Sequence, residues 1–167
     1  NARGIALAVC GDVNSTSVAE HSAMMILAAT KRALRADKSV RVGPWDWRNR
    51  LESQDLRGRN LLQVGFGRIG RHIATMMGGF GLTIRAYDPF LSRSGWPDGP
   101  VRPFDDLHKG LAWADIVSLS VPRGDRPLIG PAEIAAMRDG VVIVNTARGG
   151  IIHEAAPIGG HVSRTAA

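Results

Sequence analysis

Hydrophobic and polar positions in this chain switch between a strand-like and a helix-like period, and the switches mark out its elements. Residues 4–10 (GIALAVC) form a short apolar run that predicts a buried strand. A turn over residues 11–14 leads to Ser17 and Glu20, spaced as a capping box, so a helix is expected from Ser17 to about Leu34. Its middle is apolar on nearly every side, which predicts burial between layers or between subunits. Residues 35–59 are polar and broken by Gly43 and Pro44; they read as a connector whose Trp45 and Trp47 pack onto a neighbouring surface. From Asn60 the pattern becomes strand, helix, strand, helix. An apolar strand at 60–64 is followed by a helix carrying Ile69, Ile73, Met76 and Met77 on one stripe, closed by Gly78 and Gly79. Residues 82–88 alternate as a strand. A helix is expected over 105–114, a strand over 115–121 stopping at Pro122, a helix over 131–137 opening on proline, and a strand over 141–146.

Strands alternating with helices predict an α/β fold, a Rossmann-like doubly wound parallel sheet with flanking helices. The 167 residues are read as one domain: residues 1–59 as opening strand, long helix and connector, 60–150 as the core, and 151–167 as a glycine- and proline-broken tail. A full dinucleotide fold has about six strands, so the C-terminal half is expected to be incomplete.

The sharpest local signal lies at residues 65–70, where Gly65, Gly67 and Gly70 form G-x-G-x-x-G between a strand and a helix. The first glycine makes the tight turn, the second admits a pyrophosphate to the backbone, and the third lets helix and sheet approach. The helix N-terminus adds unpaired N–H groups and a positive dipole end. Asp88 closes the next strand 18 residues beyond Gly70, near where a ribose-binding carboxylate belongs. A carboxylate there accepts ribose hydroxyls and repels a 2′-phosphate, which favours NAD over NADP, although Arg85 and Arg93 lie close in sequence and would blunt that preference. Ligands bind at the carboxyl ends of strands in such sheets, and the glycine turn, Asp88, Val121 with Pro122, and Thr146 with Ala147 and Arg148 all fall there. Arg148 follows an apolar strand and precedes two glycines. Its guanidinium could grip a carboxylate through two hydrogen bonds or simply form a surface salt bridge; position alone does not separate the two.

Composition narrows the choices. Hydrophobic residues make up 44% and charged residues 22%, as in an ordinary globular domain. The net charge of +6 comes from arginines scattered among acids, with only Lys31, Lys38 and Lys109 as lysines. No nucleic-acid-reading motif accompanies it, so no nucleic acid is expected as partner; a basic surface equally attracts anionic substrates. Cys10 is the sole cysteine, which leaves no intramolecular disulfide, and no metal constellation is seen. The apolar run at 22–29 is too short to span a bilayer, so no membrane role and a cytoplasmic location are expected.

Residues 13–21 (VNSTSVAEH), 65–70 (GFGRIG), 86–89 (AYDP) and 144–150 (VNTARGG), in that order, resemble the D-isomer-specific 2-hydroxyacid dehydrogenase family. The resemblance implies hydride transfer between NAD(H) and a small D-2-hydroxy or 2-oxo acid of the phosphoglycerate, hydroxypyruvate, glyoxylate or lactate type. It implies that Arg148 binds the substrate carboxylate and carbonyl, that the backbone of Arg68 and Ile69 holds the pyrophosphate, and that Asp88 takes the adenosine ribose. Val121 and Pro122 would border adenine, and Thr146 and Ala147 the nicotinamide. Asn14 matches a position near substrate in some members; as a plain turn residue before the helix it is equally well explained. The helix from Ser17 to about Leu34 would serve a homodimer. The family's glutamate–histidine proton-transfer pair and most of its substrate domain are expected outside this chain. His153, Ser120 and Pro127 depart from the usual residues. His161 is not a persuasive replacement acid, and the chain alone is expected to bind NAD yet turn over little. The alternatives are a non-catalytic NAD-binding, corepressor-like module, and an adenosylhomocysteinase-like or methyltransferase-like nucleotide domain, against which the VNTARGG stretch argues.

Overall fold

A computed structural model describes residues 4, 6, 8, 11–43, 49 and 52–153. The strand expected over 4–10, Trp45, Trp47, His161 and nearly all of the tail therefore lie outside or mostly outside the described residues. The described elements are α1 (Ser15–Thr30), α2 (Ala33–Val42), β1 (Asn60–Val64), α3 (Arg68–Gly78), β2 (Thr83–Tyr87), α4 (Leu91–Ser94), β3 (Arg102–Pro103), α5 (Leu107–Trp113), β4 (Ile116–Leu119), α6 (Pro131–Ala135) and β5 (Val142–Asn145).

The strands form one parallel sheet in the order β3-β2-β1-β4-β5. The chain moves outward from β1 on one side, then returns to its other side, which makes the β1/β4 junction the point where strand order reverses. A parallel sheet covered on both faces needs apolar residues at consecutive positions. Leu61, Leu62, Val64, Ile116, Val117 and Leu119 meet that need and are buried. On one face Leu61, Ile73, Met77 and Ile116 pack with Ala19, Ala23 and Ile26 of α1. On the other, Leu62, Val64, Val117 and Leu119 pack with Leu111, Ile129 and Ile151. Each such side chain contributes about 1.5–3 kcal/mol on burial.

Three expectations are corrected. The first helix begins at Ser15, with Asn14 at its cap, and Ser17 and Glu20 form no capping box. It also stops at Thr30, because Arg32 is left-handed (φ 54°) and diverts the chain into α2, a helix inside the stretch read as connector. Third, α1 is not covered all round: Ala19, Ser22, Ala23, Ile26 and Thr30 form one buried stripe of mostly small residues, while Met24 is 50% exposed. Two short elements, α4 and β3, were invisible to periodicity because each is a turn of helix or a two-residue pairing. With only α4 in the β2-to-β3 crossover, the flank of α3 is left open as a groove of about 720 Å³, lined by Ala74, Gly78, Ile84 and Val101 among others. It lies beside β2 and β3 and includes none of the predicted site residues.

Candidate functional site: the carboxyl rim of the sheet

Between β1 and α3 the backbone is shaped by two glycines that nothing else can replace. Gly65 has φ +84°, and a Cβ there would collide with the carbonyl of Ser120 at the end of β4. A Cβ on Gly70 would collide with the carbonyl of Gly65 itself, so α3 sits directly on the turn. Gly67 differs: it caps α3 in extended conformation (φ −71°, ψ −159°), and the space where its side chain would stand is open. Close contact behind and room in front are what a helix N-terminus needs to receive a phosphate.

The turn is tied to the next strand. Gly65 N–H donates to the Tyr87 carbonyl (2.9 Å), and Phe66 N–H donates to Asp88 Oδ2 (2.9 Å). The other oxygen of Asp88 accepts from the N–H groups of Phe90 (2.9 Å) and Leu91 (3.2 Å), capping α4. Asp88 thus stands at the glycine turn, as its spacing predicted, and also braces it. A carboxylate has about four lone-pair sites, so three backbone donors leave capacity for a ribose hydroxyl.

The remaining predicted residues share this rim. Val121 follows β4 and its Cγ1 stands over Gly65, within 2.8 Å of where a Cβ on that glycine would be; Pro122 is exposed beside it. After β5, Thr146 Oγ1 and Ser22 Oγ are 2.6 Å apart, which fastens α1 to the strand end. The side chain of Asn145 closes the next turn: its Oδ1 accepts from Ala147 N–H (3.1 Å), and its Nδ2 donates to the Arg148 carbonyl (2.9 Å). Arg148 is exposed, and its guanidinium donates to the Ala147 carbonyl (2.8 Å). Among the described residues it has no carboxylate partner, so the salt-bridge reading finds no support there. Neighbouring parallel strands lie about 4.8 Å apart, and β4 alone separates β1 from β5. The glycine turn and the arginine turn are therefore roughly 10 Å apart across the strand ends.

Asn14 is exposed at the start of α1, eight residues before Ser22, or about 12 Å farther along the helix axis. It sits at the N-cap position, and its side chain makes no cap hydrogen bond. Nearby Gly11 lies against Arg68, whose Nη1 is 2.8 Å from where a Cβ on Gly11 would stand, and this brings the segment before α1 to the first turn of α3. Arg68 and Ile69 occupy that turn, directly after Gly67.

Sequence reasoning missed Asn145, Ser22 and Gln63. Asn145 carried a readable signal, since asparagine bonding the backbone two residues on is common turn chemistry. Ser22 and Gln63 carried none, because their partners are distant in sequence or are backbone carbonyls.

These residues fit a dinucleotide: a helix N-terminus behind Gly67, an acid at the second strand end, and, two strands away, an exposed guanidinium with no carboxylate partner among the described residues. The description "D-isomer specific 2-hydroxyacid dehydrogenase, NAD binding domain" matches residues 23–159. The chain belongs to this family. The D-3-phosphoglycerate dehydrogenase of Archaeoglobus fulgidus is 37% identical over 158 residues, covering 92% of this chain and 29% of that protein. The hydroxypyruvate reductase of Thermotoga maritima is 38% identical over 156 residues, covering 92% of this chain and 49% of that protein. Among solved structures, the holo form of Rhodotorula graminis D-mandelate dehydrogenase superposes with a TM-score of 0.80 at 30% identity, covering 93% of this chain and 48% of that one. Apo D-lactate dehydrogenase from Escherichia coli gives 0.74 at 28% identity, covering 84% and 44%. The chain spans between about a third and a half of the length of these relatives. As a member of this 2-hydroxyacid dehydrogenase family it carries the NAD-binding domain, and NAD is the cofactor of that domain.

Proposed function

We propose that this NAD-binding domain serves reversible hydride transfer between NAD(H) and a small D-2-hydroxy or 2-oxo acid. The observation that carries the reading is the pairing, on one rim, of a preformed phosphate turn braced by Asp88 with an exposed Arg148 lacking an acidic partner among the described residues. Bound nicotinamide supplies the hydride. The N–H groups of Arg68 and Ile69, with Gly65, Gly67 and Gly70 shaping the turn, hold the pyrophosphate. Asp88 accepts from the adenosine ribose. Val121 and Pro122 wall the adenine side, and Thr146 and Ala147 line the nicotinamide side. Arg148 binds the substrate carboxylate and polarises the carbonyl, with Asn14 beside the substrate. Asp88 disfavours a 2′-phosphate, so NAD is preferred to NADP.

Relatives named for phosphoglycerate, hydroxypyruvate, lactate and mandelate support the substrate class without choosing within it. For assembly, the reading is a homodimer through α1 and its surroundings. Its support is an apolar groove formed by Ala23, Met24, Leu27, Met76 and Phe80, in which Met24 and Phe80 are about half exposed. No helix among the described residues is long and apolar enough to cross a membrane; a cytoplasmic site of action, with no nucleic acid or membrane partner, accords with small charged substrates.

Titrating the chain with NADH by fluorescence, then assaying turnover with glyoxylate or hydroxypyruvate, tests the proposal. Saturable NADH binding with turnover at least about 10²-fold below that of a full-length relative is expected, the loss that absence of a general acid causes. Absence of NADH binding would overturn the cofactor reading. Robust turnover would overturn the placement of the acid.

A further inference from the structure

Gln63 is the one polar side chain in the buried stretch 61–64 of β1, and it is fully buried. A buried amide is costly unless its hydrogen bonds are made, so its partners are informative. Its Nε2 donates to the carbonyls of Gly65 (3.1 Å) and Val64 (3.3 Å). The same nitrogen lies 3.2 Å from where a Cβ on Gly70 would stand, so the absent side chain of the third glycine makes the room that the amide occupies. With Gly65 N–H held by Tyr87 and Phe66 N–H held by Asp88, the Gln63 amide completes a set of bonds fixing both ends of the turn's first peptides. Gln63 Oε1 has no partner among the described residues. Neither does Ser118 Oγ, its fully buried register partner across β1 and β4. The amide is therefore not there to satisfy the core. Only its N–H end is used, and that end is used on the turn.

We propose that Gln63 is a positioning residue for the dinucleotide turn: its amide, seated under Gly70, fixes the Val64 and Gly65 carbonyls so that the N–H groups of residues 67–69 stay aimed at the pyrophosphate. The proposal rests on the NAD reading above for the identity of the ligand but not for the effect on the turn. A residue that merely filled the core would lower stability and affinity together when changed. A positioning residue would separate them.

The test is Gln63→Met, which keeps much of the volume and removes the amide. Stability to urea should change by no more than about 1 kcal/mol, because removing the partnerless Oε1 offsets the loss of the hydrogen bond to the Gly65 carbonyl. Amide hydrogen exchange at Phe66 and Gly67 in the unliganded protein should quicken about five- to tenfold, the worth of one ordinary hydrogen bond, with the β1 amides unchanged. The NADH dissociation constant should rise by about the same factor. Unchanged exchange at the turn overturns the proposal, as does faster exchange throughout β1 with a parallel loss of stability. If the unaltered chain binds no NADH, the cofactor reading fails while turn exchange still decides the role of Gln63. Should the variant not fold, the Gln63 side-chain amide protons of the unaltered protein decide: strong protection supports the proposal, and exchange at the rate of an exposed glutamine overturns it.

Discussion

After β1 the chain turns with Gly65 held through its N–H by Tyr87 and through its carbonyl by Gln63, and with Phe66 held by Asp88. After β5 it turns with one side chain, Asn145, bonding Ala147 and Arg148, and leaves the arginine exposed. Both turns end buried parallel strands on the same rim, yet among the described residues the first has its backbone held by Tyr87, Gln63 and Asp88, whereas the second has its backbone held only by its own Asn145 and Arg148, with Ser22 meeting the Thr146 side chain. On the proposed function, the difference matches what each half would bind. A pyrophosphate would present the same geometry in every turnover, so a rigid turn adds little cost on binding. A small 2-oxo acid would enter and leave beside the cofactor, and an arginine on a lightly held turn could adjust to it.

The comparison breaks most severely at Gly65. Gly65→Ala puts a side chain at φ +84° and into the Ser120 carbonyl, which combines backbone strain with a hard clash. A loss of about 2–4 kcal/mol in unfolding free energy is expected, with no measurable NADH binding in what remains folded. Urea denaturation followed by an NADH titration checks it; an alanine variant as stable as the parent would show that the turn is not rigid. Next in size is Arg148→Gln. Because among the described residues the side chain bonds only its neighbour's carbonyl, stability should change by less than about 0.5 kcal/mol. Binding of glyoxylate or oxamate to the NADH-loaded chain should weaken about 10- to 100-fold, the worth of a charged hydrogen-bonded contact. Equal weakening of NADH itself would place Arg148 in the cofactor half instead. Asn145→Ala sharpens the contrast at smaller scale. It frees the arginine turn at a cost of about 1 kcal/mol, so 2-oxo acid affinity should fall about fivefold while NADH affinity holds. Parallel titrations of the two ligands would reveal a spread of the effect to both.

The braced half was also the legible half. Gly65, Gly67, Gly70 and Asp88 stand at a spacing that a local pattern can carry, and the structure gathers all four at one turn. That β1, β2, β4 and β5 run parallel followed from simple alternation of periods; their order across the sheet did not. What escaped depends on geometry that no local pattern encodes. Arg32 adopts a left-handed conformation with nothing in its side chain to announce it, and so the helix break and α2 were missed. Ser22 meets Thr146 across 124 residues, and Gln63 is polar inside a strand whose neighbours predicted only core. Asn14 was readable as a turn residue, but whether its side chain would cap the helix or stay free depended on where α1 started.

The smallest effect concerns what lies beneath the arginine turn. The segment before α6 is laced to the chain after Gly150, with Leu128 and Ile129 N–H groups donating to the Ile151 carbonyl (2.9 and 3.0 Å) and His153 N–H donating to the Ile129 carbonyl (2.8 Å). Glu133 secures that segment, accepting from Gly130 N–H (2.8 Å) and meeting His108 at 3.1 Å. The Gly130 N–H holds the Glu133 carboxyl below its ordinary value of 4.5, with a further backbone hydrogen bond and the charge of His108 assisting against a modest opposing effect of burial. A carboxyl whose pKa is lowered by folding stabilises the folded state above its unfolded value and loses that contribution as pH falls through the folded value. Melting temperature should therefore drop more steeply below about pH 4.5 in the parent than in Glu133→Gln, and the two curves should run parallel above it. Solvent around this surface group keeps the difference small. If the arginine turn also leans on this segment, the parent should lose 2-oxo acid affinity in that acid range before it loses NADH affinity; simultaneous loss would mean that both halves of the rim stand on a common foundation.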